Sequence, residues 1–172
     1  RNGGIYLDSA SSYYLGDKKW LDLAHSDSGD VYIGPPLNTQ RNSGYNTFLG
    51  YNTTANWSNI GKRNTIVGTN TDLSLSTGSN NTIIGNGVAS LAPSRSVTSS
   101  NLTVIGQYAL PRLQGGDDHT VIGSHALDQY RTGDDNVAIG AYVAPALQTG
   151  SNNVVAGDRA ATTMTTGNGN VI

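Results

Sequence analysis

The chain has no cysteine among its 172 residues, so neither a disulfide framework nor a thiolate metal site is open to it. It has one Phe, one Met and two Trp. That is little bulk for a single globular core, and it points to elongation or oligomerisation. Charged residues make up 13% and the formal charge is −2, which argues against a general nucleic-acid binder with a basic face. No apolar run approaches the ~20 residues of a membrane helix, and the opening residues do not read as a signal peptide. The first residue is Arg rather than Met, as in a processed or excised piece. What the chain does have is 22 Gly, set among Asn, Thr and Ser.

These residues recur in order. NTFLG (46–50), NTIVG (64–68), NTIIG (81–85), LTVIG (102–106), HTVIG (119–123), NVAIG (136–140) and NVVAG (153–157) are copies of one motif. DVYIG (30–34) is an earlier copy, YYLG (13–16) reads as a degenerate first one, and Asn170-Val171-Ile172 opens another. Between Gly16 and Gly157 the closing glycines are spaced 18, 16, 18, 17, 21, 17, 17 and 17 residues apart. A second glycine column, Gly61, Gly78, Gly116, Gly133, Gly150 and Gly167, stands three residues before the motif, in turns such as TGSN and TGDD. A period near 17 is too short for two helices, and Val, Ile and Thr suit a pleated strand. The fold expected is all-β: a β-solenoid of about nine coils, each with two short strands and two turns. At ~4.8 Å per coil the rod is on the order of 43 Å long. Residues 1–29 are read as an N-terminal β segment leading into the shaft, and 30–172 as the solenoid, ending at the start of a further repeat.

Within each rung, Thr47, Thr65, Thr82, Thr103, Thr120, Val137 and Val154 lie on the same side as Leu49, Val67, Ile84, Ile105, Ile122, Ile139 and Ala156. Phe48, Ile66, Ile83, Val104, Val121, Ala138 and Val155 face the other way. Both sides are apolar, so one fills the coil and the other needs a cover. An identical chain is the economical cover, in a homotrimer about a threefold axis; a dimer also satisfies the pattern. After the rung glycine, Ala109, Ala126, Val143 and Ala160 are expected to point inward. The column before them (Asn52, Asn70, Gly87, Tyr108, His125, Tyr142, Arg159) has no apolar rule and is expected to face water or a neighbouring subunit. The extra residues between 86 and 101, with Pro93, predict a protruding loop.

The N-[TV]-x-[IV]-G motif with its TGSNN-type turn resembles the head repeats of trimeric autotransporter adhesins, and more closely the repeats of tailed-phage tail fibres and tail spikes. GIYLDSASSYYLGDKKWLDL (4–23) is also similar to tail-fibre sequence. The resemblance implies a left-handed, parallel-stranded β-roll three chains wide in a surface-binding appendage. Its partners would be other tail proteins and a host glycan or protein receptor, and its location the virion. The 17-residue period is longer than that of adhesin heads. Neither an autotransporter membrane anchor nor the self-cleaving chaperone domain of many fibres is found in this chain.

Sharper chemistry has weaker support. His119 and His125 fall in different columns, away from any third ligand, so no metal or other cofactor is expected. The pairs Asp117-Asp118 and Asp134-Asp135 alternate with Ser-Asn in the same column, which asks for a turn former rather than for charge. His119 is read as a turn residue. The Thr column suggests an ice-binding ladder, but bulky Ile shares its face. Glycan contact has more support, because exposed aromatics offer stacking faces to sugars. Its candidate residues are Tyr51, Trp57, Tyr108, His125, Tyr142 and Arg159, each of which also serves to shield a neighbouring chain. A glycosidase needs paired carboxylates across a cleft; Asp117 and Asp118 are adjacent in one turn, so cleavage would require a site formed between chains. The expectation is a non-enzymatic structural and receptor-binding segment of a phage tail fibre or spike. The alternatives are a trimeric adhesin head and a polysaccharide-degrading tail spike.

Overall fold

The protein is seen in a computed structural model that describes residues 12–15, 18–23, 31–34, 44–51, 53, 61–71, 77–88 and 98–172. One ten-stranded sheet runs through it, with the strands side by side in chain order. They are β1 (Ser12–Leu15), β2 (Lys18–Leu23), β3 (Val31–Ile33), β4 (Thr47–Leu49), β5 (Thr65–Thr69), β6 (Thr82–Asn86), β7 (Thr103–Ile105), β8 (Thr120–Ile122), β9 (Val137–Ile139) and β10 (Val154–Ala156). From β3 to β10 every pairing is parallel, and each rung residue lies beside its equivalent: Thr103 beside Thr120, Val104 beside Val121, Ile105 beside Ile122. An isolated bridge from Val154 to Val171 begins the next coil. The chain is therefore an all-β parallel solenoid with a repeat of about 17 residues.

Two expectations about the coil need correction. The segment YYLG is not a first coil, because β1 pairs antiparallel with β2, and β2 antiparallel with β3. Only Gly16 and Asp17 separate β1 from β2, whereas a parallel connection needs a dozen or more residues. Eight parallel rungs among the described residues replace the expected nine. The coil also has one strand rather than two. After the rung glycine, positive φ recurs at alternate residues: Tyr108 and Leu110, His125 and Leu127, Tyr142 and Ala144, Arg159 and Ala161. Such a chain cannot run extended. It still joins the coils, because the His125 N–H donates back to the Gln107 carbonyl (2.9 Å) and the Leu127 N–H forward to the Val143 carbonyl (3.1 Å). What remains of a second strand among the described residues is a pair of single-residue bridges in the last coils, Thr132 with Thr149 and Thr149 with Thr166.

The middle residue of each rung fills the coil. Phe48, Ile66, Ile83, Val104, Val121, Ala138 and Val155 are all buried, facing Ala109, Ala126 and Val143 and then Leu110, Leu127 and Ala144. Leu113, Tyr130 and Leu147 close the interior on the remaining side. The small column opposite the strand suits so narrow a coil, whose interior must be closely packed. The protruding loop expected between 86 and 101 has its middle, 89–97, outside the described residues.

Close stacking of coils demands glycine at the rung corner. At Gly68 (φ +146°) an added Cβ would fall on the carbonyl oxygen of Gly85 in the next coil, and Gly50 and Gly123 stand in the same relation to Gly68 and Gly140. Gly115, by contrast, has nothing within 4 Å of such a Cβ. Replacing Gly68 with Ala combines backbone strain with a clash against main chain and should cost at least about 2 kcal/mol. Gly115→Ala should stay within about ±0.5 kcal/mol. Urea midpoints of the two variants test this, and equal midpoints would contradict the stacking geometry.

Candidate functional site

The column named as a surface contact is a continuous stack. Tyr108 and His125 lie with ring centroids 5.3 Å apart, and His125 and Tyr142 5.0 Å apart with planes inclined by 5°. The Arg159 guanidinium follows, 5.8 Å from the Tyr142 ring centroid. At the other end Tyr108 covers Gly87, whose added Cβ would come within 2.5 Å of the Tyr108 ring. The left-handed backbone at each position (φ 49° to 53° at Tyr108, His125, Tyr142 and Arg159) throws the side chain outward, over its equivalent one coil away. Asp128 lies 3.8 Å from His125 Nδ1 and accepts a 2.6 Å hydrogen bond from Gln129.

This geometry changes what the column offers a ligand. The ring faces that a sugar would stack on are turned toward one another along the column, which leaves Tyr108 and Tyr142 only partly exposed. Tyr51, 58% exposed, lies one residue off the column: its carbonyl accepts from the Asn70 N–H, as the Asn86 carbonyl does from Tyr108. Trp57 lies outside the described residues. The structure thus unites Tyr108, His125, Tyr142 and Arg159 and leaves Tyr51 apart.

The acidic turns are backbone acceptors. Asp117 Oδ1 accepts the Ser100 N–H (2.7 Å) and Asp134 Oδ1 the Asp117 N–H (3.0 Å), while Ser151 Oγ takes the Asp134 N–H (2.9 Å). Ser79 and Asn168 do the same in their own coils. Ser, Asp and Asn interchange here because each places an oxygen at the required distance. The next column, Asn80, Asn101, Asp118, Asp135 and Asn152, takes left-handed φ near 60°, as residues with short polar side chains do most readily. Among the described residues no group of three or more His, Asp or Glu is placed to hold a metal.

The leading residue of the rung is where the sequence reading went astray. His119 is not a turn residue; it is 1% exposed, in a column buried throughout with Asn46, Asn64, Asn81, Leu102, Asn136 and Asn153. Each Asn spans two coils. Asn64 Oδ1 accepts the Asn81 N–H (2.9 Å), and its Nδ2 donates to the Gly78 carbonyl (3.0 Å). Asn46 and Asn153 repeat the pattern. At His119 the ring takes over: Nδ1 accepts the Asn136 N–H at 3.2 Å. Nε2 is buried without a hydrogen bond of regular geometry. Tyr130 lies edge-to-face against the ring (5.3 Å, 90°); its hydroxyl donates to the Gly150 carbonyl and accepts from Asn136 Nδ2, both at 2.7 Å. Burial drives the Tyr130 phenol pKa well above its usual value, with the Asp134 charge adding to it.

The uncovered side of the rungs is the other feature of note. The Thr/Val and Leu/Val/Ile ranks both face outward, leaving Leu49 41%, Ile84 38% and Ile139 42% exposed. Neither rank holds a charged residue. In comparisons with known proteins the chain matches no family model, no curated protein and no solved structure.

Sequence reasoning missed the Asn column because a polar repeat beside a turn reads as exposed. The available signal was its uniformity, since a solvated position would not hold Asn in copy after copy. Asn64→Ala leaves the Asn81 N–H and the Gly78 carbonyl buried and unpaired, and should cost about 2–4 kcal/mol by urea unfolding. Tyr142→Ala removes one ring contact and one cation contact. The loss should be about 1 kcal/mol, against less than about 0.5 for Tyr51→Ala; equal effects of these two would show that the stack contributes nothing.

Proposed function

We propose that this chain is a non-enzymatic shaft segment of a surface-binding appendage, a tail fibre or spike of a tailed phage, acting as a homotrimer. The observation that carries the reading is the outward stripe of Thr, Val, Leu and Ile. Eight rungs at about 4.8 Å make it roughly 34 Å long, and it has no charge along it. A soluble protein rarely leaves so continuous an apolar stripe open to water. A cover must match its pitch over the whole length, and a second copy of the same solenoid does so by construction. Three copies about one axis close all three stripes at once.

The role follows from the mechanics. Backbone, Asn, turn-oxygen and ring ladders tie each coil to the next, which makes the rod stiff along its length. Threefold presentation multiplies weak contacts with a host surface into avidity. With the ring faces occupied, such contacts fall to ring edges, hydroxyls, Arg159 and the exposed turns. The carboxylates of Asp117 and Asp134 are engaged by backbone N–H groups, so no cleavage role is assigned to them.

Light scattering at micromolar concentration should give the mass of three chains. Ile84→Lys with Ile122→Lys should give one chain with an unchanged β-type circular dichroism spectrum. A monomeric parent chain would sink the proposal. Incubation with bacterial surface polysaccharide should release no reducing ends, and release would favour the polysaccharide-degrading spike instead.

A further inference from the structure

We propose that His119 makes the contact between its coil and the following one acid-labile, so that mild acid loosens the rod there while the Asn-linked coils stay closed. Every Asn in the buried column presents an acceptor and a donor that no accessible pH alters. His119 presents the same acceptor through a group that titrates. Because Nδ1 receives the Asn136 N–H (3.2 Å), the neutral ring carries its proton on Nε2. The only atom left to protonate is Nδ1 itself, which would then set one donor against another. Acid therefore removes the side-chain bond to the Asn136 N–H and places a charge at a site 1% exposed.

The groups around the ring pull both ways. Burial holds the His119 pKa below its usual value; the charges of Asp134, Asp117 and Asp135 and the Gly133 carbonyl oppose this without overcoming it. Tyr130, which packs against the ring, stays neutral throughout this range. Since the folded ring binds its proton less readily than the unfolded one, the sign is set. The stabilisation is complete above the ordinary histidine pKa of about 6.5 and is lost as pH falls from there toward the folded value. A variant differing only at position 119 keeps Asp117, Asp134 and Asp135 in place and so cancels their effect.

The experiment compares the full chain with His119→Asn, which restores the column's usual residue, and with His125→Asn as a surface control. Between pH 7.5 and 5, the Tm of the parent chain should fall by at least about 3 °C more than that of His119→Asn, and His125→Asn should behave as the parent. Hydrogen exchange, corrected for intrinsic rates, should show Asn136 amide protection dropping about tenfold over this range, with the Asn81 amide unchanged. Parallel Tm profiles for parent and His119→Asn would overturn the proposal. Should His119→Asn not fold, nitrogen-15 shifts of the parent imidazole decide alone: a protonated Nδ1 at pH 7.5 overturns it, and a bare Nδ1 that gains its proton together with the loss of Asn136 protection upholds it.

Discussion

At the corner where each coil re-enters the strand, backbone N–H and carbonyl groups are sealed from water between two coils. An unpaired buried amide costs as much as several ordinary contacts contribute. Wherever the column holds Asn, one side chain meets this need, its oxygen reaching one main-chain group and its nitrogen another, as from Asn64 to Gly78 and from Asn153 to Gly167. The amide locks the glycine turn onto the start of the next rung, and the 17-residue register follows. The glycine corners, the turn oxygens and the apolar interior are all arranged around that spacing.

The column also shows how much variation such a joint accepts. Leu102 makes no side-chain bond there, yet its own N–H is still taken by Asn81 (2.9 Å). His119 keeps the acceptor and forgoes a regular donor bond, and Tyr130 enters the neighbouring column to fill space beside it. Its hydroxyl reaches the Gly150 carbonyl that Asn136 Nδ2 also contacts. The two substitutions, His for Asn and Tyr for Leu, are adjacent and packed against each other, which makes them one local solution.

The exposed stack follows the same logic on the outside. Residues that must take left-handed φ at every coil have side chains held one above another, and flat groups use that placement best. Asn70 and Gly87, earlier in this column, are ordinary residues for such a backbone; Tyr108, His125, Tyr142 and Arg159 are not, and each carries a penalty of roughly 1 kcal/mol or more. Stacking offsets part of that penalty. The sequence reading assigned these residues to an outward column but described the segment as a strand with small inward residues (Ala109, Ala126, Val143, Ala160), although three of the column's residues, Asn52, Asn70 and Gly87, are turn formers.

The period, the parallel stacking, the glycine corners and the left-handed Asn/Asp turns were determined by the sequence itself. In a solenoid each residue sits on its own equivalent, so the composition of a column reports its environment directly. Which side of the rung faces inward was decided only by the tertiary structure. Both sides are apolar, and alternation along a strand is symmetric between them. The burial of Asn and His119, the single strand per coil and the closure of ring on ring were likewise settled there. Each depends on a partner 14 to 21 residues away, and no local propensity records whether that partner will be in reach.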